Sequence, residues 1–244
     1  MVDIHSHVLP YFDDGASTLF ESLELLRLAE KNGTKKIVLT PHLYNPRIGY
    51  VDISKIKTVF DKYKQQASGI NIELYLGSEV FCSDLFLKTI SEKNFLTINN
   101  TEYILVEFKF NDDIDRVFFA LDLITDAGYR PIIAHPERYH FLRRNASFVK
   151  DIVAKGGLLQ INKTSLSEKN GLDCYDFAMW MLHNEYVTFV ASDAHDIEYR
   201  TTNMQYSFMK IYNELSKKYA ENLFFNNPDA AISGKKINTR WELF

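Results

Sequence analysis

The residues able to do chemistry in this chain are gathered in a few short segments. Asp3-Ile4-His5-Ser6-His7 and Asp13-Asp14-Gly15 come first, then Thr40-Pro41-His42, Glu79, Glu107, His135-Pro136-Glu137-Arg138 and Ser192-Asp193-Ala194-His195. His5 and His7 are two apart, so on an extended strand both rings project from one face and can chelate one ion. A lone HxH is weak evidence, and each histidine taken singly reads as well as a packed core or surface residue. The set is another matter, because unpaired charges in a closed site are very costly without a metal to compensate them. Imidazole and carboxylate without thiolate suit Mn2+, Fe or Zn2+ and argue against a structural Cys-type zinc site. Five histidines with four or five carboxylates are too many for one ion. Two or three ions sharing a bridging carboxylate would use them all, and clusters of this kind serve hydrolysis of phosphate esters.

Something must bring these segments to one place. Seven short β-rich runs, at residues 2–5, 36–40, 73–80, 103–108, 131–135, 158–161 and 187–191, alternate with longer helical patterns, which implies parallel strands joined by crossover helices. The first helix carries Thr18 as a cap, Glu21 as its box partner, Leu19, Leu23 and Leu26 on one face, and Gly33 past its end. Helical patterns at 114–127 and 148–154 end at Gly128 and at Gly156-Gly157, each leading into the next strand. Seven such units close more naturally into a barrel than into an open doubly wound sheet, although periodicity admits both. A parallel strand buried on both faces should be continuously apolar, so polar residues at strand C-termini need a separate reason. In a barrel that rim is where an active site is built. His5, His7, His42, His135 and His195 occupy it, whereas His140 and His183 fall in helical or loop segments.

Composition removes other classes. The chain has 244 residues, 46% apolar and 25% charged, which fits a soluble globular protein with no disordered or low-complexity tract. A net charge of −4 without a run of basic residues speaks against a nucleic-acid surface or a polybasic membrane patch. No apolar window is long enough to insert into a membrane, and no signal segment is evident, so a cytoplasmic protein is expected. No linker divides residues 1–244, which are read as a single domain with the segment after Pro228 packed outside or below it. Cys82 and Cys174 fit neither a disulfide framework nor zinc spacing and are read as reduced, buried thiols.

The segments DIHSHVLPYFDDGA, TPHLYNP, GSEV, YILVEF, AHPERY and ASDAH, in that order, resemble the PHP (polymerase and histidinol phosphatase) family. Within it the chain looks like the manganese-dependent bacterial tyrosine-protein phosphatases of capsule and exopolysaccharide clusters. The resemblance spans almost the whole chain and implies a distorted seven-stranded (β/α)7 TIM-like barrel. It implies two or three divalent ions, Mn2+ foremost, with Fe or Zn2+ as alternatives. His5, His7, Glu79 and Asp193 would hold one ion, with Glu79 bridging to a second held with Glu107 and His135; Asp14, His42 and His195 would hold the third. Carboxylates at 14 and 107, where other branches place histidines, favour the tyrosine-phosphatase branch. The chain departs from the pattern at Leu43, where relatives often carry a second histidine.

Phosphate monoester hydrolysis needs a nucleophile and neutralisation of phosphoryl charge. A water bridging two ions becomes hydroxide near neutral pH. Arg138 and Arg200 supply two guanidinium forks for phosphate oxygens. Tyr11, Phe12, Tyr44 and Tyr139 are the expected walls of a cleft for the substrate ring, opposite packing as the plainer reading. The expected partner is a phosphotyrosine protein, a bacterial tyrosine-kinase tail above all. The competing readings are a histidinol-phosphate-like small-molecule phosphatase, a polymerase-associated exonuclease and a non-catalytic metal-containing scaffold.

Overall fold

The computed structural model describes residues 1–49 and 51–238. Its nine strand segments are β1 (Val2–Asp3), β2 (Lys36–Leu39), β3 (His42–Leu43), β4 (Glu73–Leu76), β5 (Glu79–Phe81), β6 (Tyr103–Glu107), β7 (Arg130–Ala134), β8 (Leu158–Asn162) and β9 (Val187–Ala191). Among the described residues all pairings are parallel and form two sheets, β1-β2-β4 and β3-β5-β6-β7-β8-β9, with helical segments between successive strands except from β2 to β3 and from β4 to β5. The seven expected runs are all present, but two of them divide. The second breaks between β2 and β3 at Thr40-Pro41, where proline has no N–H for a ladder. The third breaks between β4 and β5 at Gly77-Ser78. There a Cβ on Gly77 would lie 3.2 Å from side-chain carbons of Ile98 and Val38, so any side chain would require those neighbours to shift by a few tenths of an ångström. Beyond β1 the chain meets the end of the last strand: Ser6 bridges Ala194 in parallel, His7 N–H donates to Ala194 O (2.8 Å) and Asp193 N–H to His5 O (2.9 Å).

Strand alternation divides the apolar residues between two clusters. Ile104, Val106, Ile133, Leu159, Ile161 and Val190 face the helices, while Tyr103, Leu105, Ile132, Ala134, Leu158, Phe189 and Ala191 pack together on the other side. Continuing the second set by two residues reaches Glu107, Gln160 and Asp193, with Asn162 two further along β8, so the same alternation that buries the core delivers polar groups at the strand ends. At the opposite ends of the strands the cluster is closed by Ala231, Ile232 and Ile237. Tyr103 Oη donates to Lys235 O (2.7 Å) and Thr101 Oγ1 to Ala231 O (3.0 Å), fixing this segment below the sheet. Tyr50 and residues 239–244 of the expected single domain lie outside the described residues.

The first helix runs Leu19–Lys31 and is capped by Thr18, whose side chain accepts from Glu21 N–H (3.2 Å). Its buried stripe is Ser22, Leu25, Leu26 and Ala29, with Leu19 and Leu23 at the edge, so the face is rotated from the one expected. Glu21 reaches Ser17 N–H (2.9 Å) rather than Thr18, which shifts the capping box by one residue.

Candidate metal centre

The strand ends bring His5, His7, His42, Glu79, His135, Asp193 and His195 into a buried cluster, with Glu107 at its edge and exposed Asp14 above it. Glu79 is at the middle. Its Oε2 lies 3.3 Å from His5 Nε2, 3.2 Å from His7 Nε2 and 3.0 Å from His42 Nδ1, and its Oε1 lies 3.0 Å from His135 Nε2. Asp193 Oδ1 is 3.5 Å from both His5 and His7 Nε2. Asp14 Oδ1 lies 3.5 Å from His42 Nε2 and 3.4 Å from His195 Nε2. Glu107 is farther out, 3.8 Å from His135 and 3.9 Å from His42.

Three groups have ligand atoms close enough to share an ion: His5, His7 and Asp193; His42, Glu79 and Glu107; and His7, Asp14, His42 and His195. Eight of the nine expected residues fall in these groups; the ninth, His135, is in none of them but lies 3.0 Å from Glu79 Oε1, and the grouping otherwise differs in detail. His7 also joins the Asp14 group, and His42 faces Glu79 and Glu107 as well as Asp14.

The fit to cations rests on the orientation of the imidazoles. His5 Nδ1 is 2.7 Å from Gln160 Oε1, and His7 Nδ1 is 2.7 Å from Asp13 Oδ2. Gln160 Nε2 donates to Asn162 Oδ1 (3.0 Å), so Gln160 Oε1 is an acceptor and the proton of His5 belongs on Nδ1. Asp13 requires the same of His7. The two Nε2 atoms then face each other at 3.2 Å with lone pairs inward, beside carboxylates on both sides. Two neutral imidazoles so placed repel unless a proton or a metal ion lies between them and the carboxylates, and a histidine whose other nitrogen donates to a fixed acceptor is the usual outer support of a metal.

Charge follows the same geometry. Burial opposes ionisation of His5 and His7, but Glu79 and Asp193 around His5, and Asp13 and Glu79 around His7, carry both imidazoles above their ordinary range. Burial also opposes the Glu79 and Asp193 carboxylates. Surrounding His5 and His42 for Glu79, and His5 and Arg200 for Asp193, nevertheless hold them well below it. Glu107 is pushed up to about 7 by burial and the neighbouring Glu79, while burial brings His135 down to about 4. His135 and Asp193 both have left-handed backbone (φ 36° and 48°), an uncommon conformation for residues with side chains.

Both arginines reach the rim from beside Asp193. Arg200 Nη2 donates to Asp193 Oδ2 at 2.6 Å, and Arg138 Nη1 lies 3.8 Å from the same oxygen. Both are partly exposed, so their remaining donors are accessible from solvent. Glu137 is fully buried and accepts from Asn162 N–H and Ser165 Oγ, so it does not form a surface pair with Arg138.

The aromatic wall requires correction. Tyr139 is 0% exposed, stacks on Phe141 at 5.4 Å, and its hydroxyl accepts from Phe108 N–H (3.0 Å). It packs beneath the rim and has no surface to offer a substrate. Phe12 is half-buried against the main core, and Tyr44 leans on Phe86 with its hydroxyl donating to Asn94 O (3.1 Å). Tyr11 alone of the four is well exposed, at 66%, with its hydroxyl accepting from Leu19 N–H at the start of the first helix.

Sequence reasoning missed Asp13 as the partner of His7, and Gln160 and Asn162 as the chain of amides linking His5 to Asp193. Asn162 Nδ2 donates to Asp193 Oδ2 (2.5 Å), completing that chain. The available signal is the Gln160-Ile161-Asn162 alternation at the end of the sixth run.

A family model described as capsular polysaccharide synthesis, CpsB/CapC, matches residues 1–233. The tyrosine-protein phosphatase YwqE of Bacillus subtilis is 32% identical over 224 residues, covering 89% of this chain and 86% of its own. A crystal structure of YwqE from Bacillus subtilis and CpsB from Streptococcus pneumoniae, described as unique metal-dependent tyrosine phosphatases, matches with a TM-score of 0.89 at 29% identity. The match covers 98% of this chain and 97% of that one. A histidinol phosphate phosphatase from Lactococcus lactis, with zinc, L-histidinol and phosphate, matches with a TM-score of 0.53 at 14% identity, covering 78% of this chain and 83% of that one, a likeness of fold alone.

Proposed function

Since the chain belongs to the CpsB/CapC family of capsular polysaccharide synthesis, we propose that it is a metal-dependent protein-tyrosine phosphatase whose centre is built by His5, His7, Asp14, His42, Glu79, Glu107, His135, Asp193 and His195. The observation that carries this reading is the pair of inward-facing Nε2 atoms of His5 and His7 at 3.2 Å, with Glu79 and Asp193 beside them. In the proposal the two sheets form one distorted seven-stranded PHP-type barrel, residues 1–244 are one domain, and the protein works in the cytoplasm on the tail of a bacterial tyrosine kinase.

Two or three divalent ions, Mn2+ foremost, would supply the nucleophile and neutralise charge on the phosphoryl oxygens when bound. The protein's own part is to place the remaining groups. Asp13 and Gln160 fix the His7 and His5 rings through Nδ1, and Asn162 fixes the Asp193 carboxylate. Arg138 and Arg200 hold the phosphate of the substrate from the Asp193 side, in bidentate fashion. A phenolate leaves readily because the phenol pKa is about 10, so the departing group makes little demand for a strong acid. Tyr11, exposed on the rim, is the aromatic available to the substrate ring, with Phe12 and Tyr44 behind it. Neither buried thiol takes part: Cys82 is held firmly protonated by burial.

The test is metal analysis of the purified protein, with turnover on a phosphotyrosine peptide, the phosphoserine peptide of the same sequence and histidinol phosphate. We expect bound divalent ions and a preference for phosphotyrosine that chelation abolishes. Equal turnover of both peptides would remove the tyrosine specificity, and preference for histidinol phosphate would transfer the protein to the small-molecule branch.

A further inference from the structure

Arg138 is held in a way the metal-binding residues do not explain. Among the described residues its guanidinium makes no hydrogen bond, and its one ion pair, to Asp193 Oδ2, is long at 3.8 Å. Its central carbon instead sits 4.8 Å from the centre of the Phe110 ring. Phe110 lies three residues past Glu107, off the end of β6, and is fixed by the very segment that bears Arg138. Its carbonyl accepts from His140 N–H (2.8 Å), and its ring meets His135 edge-on at 6.4 Å and Tyr139 at 6.2 Å.

We propose that Phe110 is a positioning residue, carrying the Arg138 guanidinium on its ring face so that the N–H edge stays turned to the phosphate of the substrate. A cation over an aromatic face is attracted by the negative face of the ring. A carboxylate partner would hold the guanidinium too, but by occupying the donors a phosphate needs. A ring holds it by its face and leaves all five N–H groups free. The inference rests on the reading of Arg138 as a phosphate-holding residue.

The experiment compares Phe110→Leu, Phe110→Trp, Arg138→Ala and the Phe110→Leu, Arg138→Ala double variant. The measurements are kcat/KM on the phosphotyrosine peptide, calorimetric affinity for inorganic phosphate, bound metal and Tm. Phe110→Leu should lower kcat/KM and phosphate affinity about three- to tenfold with bound metal unchanged. Phe110→Trp should stay within about twofold of the native protein, and Phe110→Leu should add no further loss once Arg138 is alanine. Native phosphate affinity in Phe110→Leu, beside an impaired Arg138→Ala, overturns the role of Phe110 alone. Full activity and phosphate affinity in Arg138→Ala overturn the reading beneath it. An equal loss from Phe110→Leu in both backgrounds reveals support of the fold instead, and also overturns the proposal. If Phe110→Leu does not fold, a folded Phe110→Trp decides: phosphate affinity kept supports the ring's role, and affinity lost overturns it.

Discussion

Lys163 follows Asn162 at the end of β8 and is only 7% exposed. Its ammonium makes a long 3.4 Å hydrogen bond to Thr201 Oγ1, and no carboxylate among the described residues is near enough to pair with it. Burial, helped by Lys169, pushes its amine down to about 8, against the pull of Asp3, Asp193 and Asp196. The unfolded chain keeps this proton to about pH 10.4, whereas the folded protein releases it from about 8. The unfolded state therefore binds more protons in that window, and this residue's contribution to stability rises with pH from 8 to 10. Lys163→Met should raise Tm at pH 7, by an amount on the order of 2 kcal/mol in stability, and flatten the rise. Thermal melts of both proteins from pH 7 to 10 check it, and parallel curves would refute it. Residue type alone made the histidines and carboxylates legible in the sequence, because few other roles explain so many at strand ends. Gln160, Asn162 and Asp13 were not legible in this way, since each acts only through a ligand it steadies. Tyr139 was misread because its neighbour Arg138 suggested exposure, whereas the Phe108 N–H needed an acceptor inside.

At the scale of elements, the turn through Asp13-Asp14-Gly15 is the part of the site least tolerant of change. A Cβ on Gly15 would fall 2.1 Å from His7 O and 2.5 Å from His7 Cβ, both atoms fixed by the strand end. Gly15 N–H donates to Asp13 Oδ1 (3.0 Å), and Asp13 Oδ2 also accepts from His42 N–H (3.0 Å), so the turn joins two histidine-bearing strand ends. Gly15→Ala should therefore displace Asp13 from His7 and lower metal affinity and kcat/KM by about tenfold or more. Gly69→Ala, where nothing lies within 4 Å, should change neither beyond about twofold. Bound metal per chain and kcat/KM settle it, and a fully loaded, fully active Gly15→Ala would contradict the account. The strands were legible because parallel strands between helices read as short apolar runs. Their two interruptions were not read, although Pro41 and Gly77 mark both. The sixth strand extends one residue past the expected run, to Asn162, whose amide is polar without being charged and so marks no site in the sequence.

In the whole molecule the proposed metal-binding side chains come from both sheets and from the joint between the first and last strands. His5 and His7 follow β1 of the smaller sheet, whereas His42, Glu79 and Glu107 belong to β3, β5 and β6 of the larger one. Ions bound here would tie the sheets together, and their removal would leave Glu79 and Asp193 facing each other across unscreened imidazoles. Chelation should lower Tm by roughly 10 °C, taking about 4 kcal/mol of binding linkage and 2–4 °C per kcal/mol for a chain of this size. Scanning calorimetry with and without chelator checks this, and an unchanged Tm would separate metal binding from the architecture. Chain length and the recurrence of strand and helix made the fold class legible; the joint at Ser6 and Ala194 depends on contacts across nearly the full sequence, which no local pattern encodes. Burial of both cysteines, with Cys82 at 1% exposure and each thiol shifted away from the thiolate, has one more consequence. Peroxide attacks thiolates, and phosphatases built on a thiolate nucleophile are silenced by it. This chain offers peroxide no such target, so an oxidative burst that stops those enzymes would leave its thiols untouched.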